Sequence, residues 1–165
     1  ATASTSTTFA HTGFSLCSSN LDGGAFYMQS GQATVNACWF VDNTASQDGG
    51  ALYLVDGTLT SDSTTFTDNT ATRNGGAAFF DAGTAVYSDL TSSGNVAVYG
   101  GSMYTQDATL TFEDSSFTGD SSSERGGAFY VTNAQVTIID STISECWSDQ
   151  MGGSLYVETL SANLD

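Results

Sequence analysis

"FVDNTASQDGGALY" (residues 40–53) and "FTDNTATRNGGAAF" (residues 66–79) say nearly the same thing, 26 residues apart. Glycine pairs extend the pattern to 23–24, 49–50, 75–76, 100–101, 126–127 and 152–153, at intervals of 26, 26, 25, 26 and 26. A fixed period of this length is the mark of a solenoid or array, in which each unit buries its apolar face against its neighbours. The repeat therefore decides the fold before any single element is assigned.

Counting the first glycine of each pair as position 1, the equivalent positions keep their character. Position 3 is Ala or Ser. Position 4 is mostly large and apolar. Position 5 is aromatic throughout: Tyr27, Tyr53, Phe79, Tyr104, Tyr130 and Tyr156. Position 18 holds Phe14, Phe40, Phe66, Phe117 and Ile143, and position 21 reads Cys17, Asn43, Asn69, Asn95, Asp120 and Cys146. Between the glycine pairs lie short alternating runs such as "TLTFED" and "QVTIID", which are strand signals of period 2, and no helical stripe interrupts them. Each unit reads as about three short strands separated by Gly, Asn, Asp and Ser corners. The expected fold is all-β: a right-handed parallel β-helix of about six coils of 26 residues. Coils stacked ~4.8 Å apart make a rod roughly 30 Å long. A sandwich of hairpins would instead need tight-turn dipeptides every 8–12 residues and would not demand identical residues at equivalent positions. The reading gives a single domain over residues 1–165, with a partial first coil at 1–22, five full coils at 23–151 and a partial last coil at 152–165.

The pattern "F-x-x-N" followed by "G-G-A-hydrophobic" resembles the polymorphic outer membrane protein repeat of chlamydial surface proteins. Phe40, Asn43, Gly49, Gly50, Ala51 and Leu52 carry it in one unit, and Phe66, Asn69, Gly75, Gly76 and Ala77 in the next. The remaining units are degenerate, with Asp120, Ile143 and Cys146 at motif positions, and the resemblance runs over residues 14–157. It implies a right-handed β-helix, a surface or extracellular location, and adhesive or structural roles.

Composition narrows the chemistry. The 165 residues carry a formal charge of −16, from 18 acidic side chains against Arg73 and Arg125, with no lysine. Such a field repels nucleic acid and anionic membranes. No apolar run is long enough to span a bilayer. Acidity with few aromatics would mean disorder, but aromatics make up 12% of this chain and recur in register. The opening "ATASTSTT" has neither a basic start nor an apolar stretch, which reads as a mature product or an excerpt.

Each column has a structural reason to exist. The glycine pair marks a corner that needs a positive φ or close packing between coils. Asn43, Asn69 and Asn95 suit a tight bend and a ladder of stacked amides. If positions 4 and 6 face the core, positions 3 and 5 face outward, and the aromatic column becomes either a stabilising stack or a contact surface for glycan or another chain. Thr34, Thr60, Thr111 and Thr137 form a column at position 12, with Val86 among them, and a second Thr/Ser file at positions 17 and 19 is broken by Trp39 and Val41. Outward β-branched Thr suits strands for packing alone. Thr-x-Thr arrays also order surface water, as in ice-binding solenoids, and clustered Ser/Thr accept O-glycans.

Acids stack too. Asp89, Asp114 and Asp140 share position 15, with Asp62 and Glu113 at position 14. Such a column either binds a cation, calcium being the candidate, or holds a raised pKa. No other cofactor is implied. The three cysteines include no C-x-x-C pair, and a disulfide between Cys17 and Cys38 is the candidate staple, leaving Cys146 over. Catalysis is not expected. Two arginines and one histidine, His11, give little to hold or deprotonate a polysaccharide, and any stacked acid pair in a β-helix meets the spacing of a retaining glycosidase.

The chain begins and ends partway round a coil, and neither end has a polar cap. Either it is an excerpt, or the ends meet those of other copies in a fibre that never closes. The leading expectation is a structural module of an extracellular filament or cell-surface adhesin. It would self-associate or stack on neighbouring β-helix domains, carry O-glycans, and make no contact with nucleic acid or membrane interior. An ice- or glycan-binding solenoid comes second, a polysaccharide-active enzyme third.

Overall fold

The computed structural model describes residues 5–159, so the expectations that fall on 1–4 and 160–165 lie outside the described residues. The described chain is a β-solenoid without helices. Its strands form four six-stranded sheets, and every pairing is parallel and links one coil to the next. The first sheet contains strands such as Gly31–Asn36, Gly57–Asp62, Thr84–Ser88 and Thr109–Glu113. The second contains Trp39–Val41, Thr65–Thr67, Thr91–Ser93 and Ser116–Thr118. The third contains Thr44–Ala45, Thr70–Ala71, Val96–Tyr99 and Ser121–Arg125. The fourth contains Leu52–Val55, Ala78–Asp81, Met103–Gln106 and Phe129–Thr132.

A coil thus has four short strands, where the sequence suggested three. The additional strand is the third-sheet one, only two residues long in the early coils (Thr44–Ala45, Thr70–Ala71) and too brief to show alternation. Four strands need four corners, and most coils turn each on one residue in the left-handed region. These are the first glycine of the pair, then position 8 (Asp56, Ala82, Asp107, Asn133), position 15 (Ser63, Asp89, Asp114, Asp140) and position 20 (Asp42, Asp68, Gly94, Gly119). Short polar side chains tolerate this conformation best after glycine, because they hydrogen-bond their own backbone there. Much of the chain's acidity is therefore corner chemistry.

The second glycine of each pair faces a different constraint. A Cβ on Gly50 would sit 2.0 Å from the carbonyl oxygen of Gly76, and one on Gly76 would sit 2.1 Å from that of Gly101. Coils touch backbone to backbone at this column.

Position 3 is buried, not outward: Ala51, Ala77, Ser102 and Ala128 are all 0% exposed. The reason lies just before the fourth sheet. The N–H groups of positions 3 and 4 both donate to the position-3 carbonyl of the next coil, as Ala51 and Leu52 do to Ala77 at 3.0 Å. Two successive residues then face inward, and strict alternation begins only at position 4. In the coil of Leu52 it holds from there: Leu52 and Leu54 are buried and Tyr53 between them faces out, whereas Phe79 and Tyr130 at the same position are themselves buried. The core is a continuous apolar column that includes Leu52, Leu54, Phe66, Phe80, Leu110 and Phe129.

Candidate functional site

The Asn column is an interior ladder. Asn43 donates through its backbone N–H (3.0 Å) and Nδ2 (2.9 Å) to Oδ1 of Asn69. Asn69 does the same to Asn95, at 2.9 Å for both bonds. Asn95 does it to Asp120, at 2.9 and 2.8 Å. The other Nδ2 proton goes to a position-18 carbonyl one coil back: Phe14, Phe40 and Phe66 in turn. All four ladder side chains are fully buried. The ladder starts at the Cys17 N–H, which donates to Asn43 Oδ1 at 3.0 Å, and the sixth position is Cys146. Burial pushes the Asp120 carboxyl up to about 6, against the pull of the Asn95 and Ser92 hydrogen bonds.

The aromatic column stacks face to face. Ring centroids are 5.3 Å apart for Tyr27–Tyr53, 4.8 Å for Tyr53–Phe79 and Phe79–Tyr104, and 4.7 Å for Tyr104–Tyr130, with planes within 9° of parallel. Tyr130–Tyr156 follows at 5.0 Å, tilted by 34°. Within the column each ring covers its neighbours' faces; Tyr27 at one end is half exposed, whereas Phe79 and Tyr130 are buried and the Tyr130 hydroxyl donates to Glu158. Burial, then Asp81, Asp22 and Asp48, raise the Tyr53 hydroxyl above its ordinary value. Burial lifts Tyr104 to about 12. Arg73 forms an ion pair with the nearly buried Asp48, which also accepts from Asn74 Nδ2 at 2.8 Å. Arg125 lies over the Tyr156 ring, 5.1 Å from its centroid.

The threonines occupy two outward faces. On the first sheet, Thr34, Thr60, Val86, Thr111 and Thr137 stack in one file at position 12. Beside it, at position 10, runs a file that the sequence reading missed: Gln32, Thr58, Thr84, Thr109 and Gln135. Together they place Thr58 with Thr60 and Thr109 with Thr111 on successive outward sites of single strands. Nothing but the strand boundaries would have exposed the second file, because position 10 mixes Thr with Gln. No side-chain hydrogen bond ties these threonine hydroxyls to other groups among the described residues. The second sheet differs. Its Thr67 and Ser93 are bonded at 3.3 Å, as are Thr118 and Ser144, and Trp39 covers Gly13, whose added Cβ would sit 2.1 Å from the indole nitrogen.

Asp89, Asp114 and Asp140 do line up at position 15, each in the left-handed region. No group of three or more His, Cys, Asp or Glu side chains among the described residues is arranged to hold a metal, so the structure does not assemble them into a calcium ligand set. Asp89 accepts instead from Ser63 Oγ at 3.0 Å. Asp62 and Glu113 are kept two coils apart by Ser88, which donates to Asp62 at 3.0 Å.

Cys17 and Cys38 are not joined; both are free thiols, as is Cys146. Cys38 precedes a second-sheet strand and Cys17 follows the strand stacked on it, so they occupy different corners, about five extended residues apart, well beyond the ~7 Å Cα limit for a disulfide. Their thiols donate to local carbonyls instead, Cys38 to Asn36 at 3.2 Å. Burial raises the Cys146 thiol. His11, also in the left-handed region, is exposed at a corner of the first described coil.

The first and last described coils contribute apolar side chains to the core. At the C-terminal end Val131, Ala134, Val136, Ile138, Leu155 and Val157 line a cavity of about 190 Å³. At the N-terminal end Phe9 packs edge-on against Phe14 (5.1 Å) and Phe26 (5.3 Å).

Comparison with known proteins matches residues 63–81 to the Chlamydia polymorphic membrane protein repeat. The matched stretch runs from one corner through Phe66, Asn69, Gly75 and Gly76 into the next fourth-sheet strand, so the similarity covers one coil's worth of ladder and glycine corner. No curated protein and no solved structure matches the chain.

Proposed function

We propose that this chain is a structural repeat module of a cell surface or extracellular assembly, and that copies stack end to end through their open coils. The observation that carries the reading is the apolar cavity at the C-terminal end. Ile138, Ile143 and Leu155 hold positions 13, 18 and 4 at that end. Phe9, Phe14 and Phe26 hold the same three positions at the other. A second copy stacked in register continues every core column, with the phenylalanines meeting the aliphatic socket, and pairs strand edges that would otherwise template aggregation. Such a contact is heterologous and does not close, so it propagates. The match to a surface-protein repeat supports the location. The acidic corners keep filaments apart laterally. None of the eight asparagines lies in an N-x-S/T sequon, so glycans on the module are O-linked to the Thr and Ser files.

The test is electron microscopy and sedimentation of the chain with its native termini. Filaments with an axial repeat of roughly 29 Å, six coils at ~4.8 Å, are expected. A monomer over a wide concentration range would sink the reading. Val157→Asp, in the socket, is expected to shorten or abolish filaments.

One observation favours a second reading. The first sheet presents paired threonine files whose hydroxyls are free of side-chain partners, and none of the residues in those two files is charged, in a chain of net charge −16. The sites repeat at ~4.8 Å across strands and roughly 6.7 Å along them, a rigid grid of methyls and hydroxyls suited to ordering water at an ice surface. Thermal hysteresis abolished by Thr60→Tyr, but kept by Thr91→Tyr on the second sheet, is the expected pattern. The aromatic column is less suited to glycan, since sugars stack on ring faces and these faces are closed.

A further inference from the structure

Across two adjacent coils of the solenoid the core changes character. Position 18 is phenylalanine in the flanking coils, but Ser92 lies between Phe66 and Phe117. Position 3 is alanine on either side of Ser102, and position 6 holds Phe80 and Val131 on either side of Thr105. Position 23 passes from Ala97 to Ser122, and the ladder changes from Asn95 to Asp120. Position 13 passes from Ser61 to Tyr87 and then to Phe112. All of these polar side chains are at most 2% exposed. Tyr87 and Ser92 lie in one coil and Ser102, Thr105, Asp120 and Ser122 in the next, so polar replacements in two adjacent coils, contributed by all four sheets, form a single feature.

Part of it is a closed hydrogen-bond chain. Ser92 Oγ is 2.6 Å from Ser102 Oγ, donates to Asp120 Oδ2 at 3.0 Å, and shares with the Phe66 carbonyl the second Nδ2 proton of Asn95, at 3.0 Å. That fills the three places a hydroxyl offers. Ser102 Oγ and Asp120 Oδ2 retain unused capacity. Around them, the hydroxyls of Tyr87, Thr105 and Ser122 are buried and have no hydrogen-bond partner within the protein. The Tyr87 ring packs edge-on to Phe66 (6.4 Å) and Phe80 (6.3 Å) and stacks on Phe112 (5.3 Å). In the next coil the position-13 ring, Phe112, meets Phe117 at position 18 edge-on, at 5.3 Å. Tyr87 has no such ring to meet, because Ser92 stands there, and its longer side chain carries the hydroxyl toward the volume the phenylalanine would fill.

Buried polar groups are almost always paired, and each one left unmet costs about 1–3 kcal/mol. Three in two adjacent coils, beside spare acceptors and a loss of side-chain volume from Phe80 to Thr105 at position 6, meet the two conditions for internal water: a polar lining and space. We propose that ordered water molecules are bound inside the solenoid in these two coils, bridging the Tyr87, Thr105 and Ser122 hydroxyls to Ser102 and Asp120. The water is part of the folded protein and completes a polar layer across the core. The inference is independent of end-to-end assembly, since it concerns the interior of a single chain.

The test is magnetic relaxation dispersion of water on the intact chain, with Tyr87→Phe and Thr105→Val as near-isosteric variants. The wild type is expected to show long-lived internal water, and each variant to lose at least one such molecule and melt at a lower temperature. A wild type without long-lived water overturns the proposal whether or not the variants fold. So does a variant that melts higher than wild type, because deleting a dry, unpaired hydroxyl relieves a cost, whereas deleting a hydrated one strands its water.

Discussion

Asn95 Oδ1 accepts two hydrogen bonds from Asn69, one from the backbone N–H and one from Nδ2, both at 2.9 Å. One side chain thereby fixes the corner of the coil beneath it, and the same unit repeats up the rod. Replacing Asn69 by alanine strands the Phe40 carbonyl and both Asn43 donors in a dry core. We expect a loss of about 3 kcal/mol or more in urea unfolding, from several buried groups left unpaired together. A loss below about 1 kcal/mol would show the ladder to be ornamental.

Asp120 closes that ladder with a carboxylate where the earlier coils use an amide. Below pH 3.8 the group is protonated both folded and unfolded and contributes no pH dependence. Between 3.8 and about 6 the folded state keeps a proton that the unfolded chain releases, so stability falls as pH rises; above 6 the cost is complete. The gap of about two pH units corresponds to about 3 kcal/mol. Asp120→Asn is expected to stabilise the protein at pH 7 and to flatten this part of the profile. Urea midpoints measured from pH 4 to 8 decide it, and identical profiles for the two proteins would contradict the assignment.

Two glycines separate steric demand from conformational demand. Gly76→Ala drives a methyl into the Gly101 carbonyl and the Val96 amide, 2.1 and 2.6 Å from its Cβ, and should block folding or cost several kcal/mol. Gly119 has φ +67° but nothing within 4 Å of an added Cβ. Gly119→Ala should cost about 1 kcal/mol, and Gly119→Asn less, as Asp42 and Asp68 occupy the same corner. Equal losses at both glycines would mean that coil contact at Gly76 is not the constraint.

The stacked aromatics make a graded prediction. Tyr104 lies 4.8 Å from Phe79 and 4.7 Å from Tyr130, and its hydroxyl makes no hydrogen bond among the described residues. Tyr104→Phe should be neutral within about 0.5 kcal/mol, while Tyr104→Ala should cost about 2–3 kcal/mol by removing two ring contacts. Thermal melts of the two variants would show it, and parity between them would argue that the column is incidental.

Glycine pairs, Asn43 and Asn69 were legible because each repeats without disguise, and a repeat reports the geometry that demands it. Position 3 was misread because alternation was extended one residue beyond the strand, into a corner where Ala51 and Leu52 share one acceptor. The acids looked like a ligand column because Asp is favoured both by cations and by left-handed corners, and sequence does not separate the two. Thr58, Thr84 and Thr109 escaped notice since Gln32 and Gln135 share their file. The exchange at Ser92 and Tyr87 was hidden for a different reason: side chains that compensate across the core sit five residues apart in sequence.

The coil that begins at Gly75 is one residue short, and its bonding shifts between Ala97 and Tyr99, where the Val98 and Tyr99 amides both donate to the Arg73 carbonyl. By Gly100 and Gly101 the stacking is restored, with Gly101 donating to Gly126 at 3.1 Å as its counterparts do. The fault is absorbed inside a single corner and never reaches the next turn. A change of one residue in coil length is thus a local event at this corner, and the register of every later coil is kept.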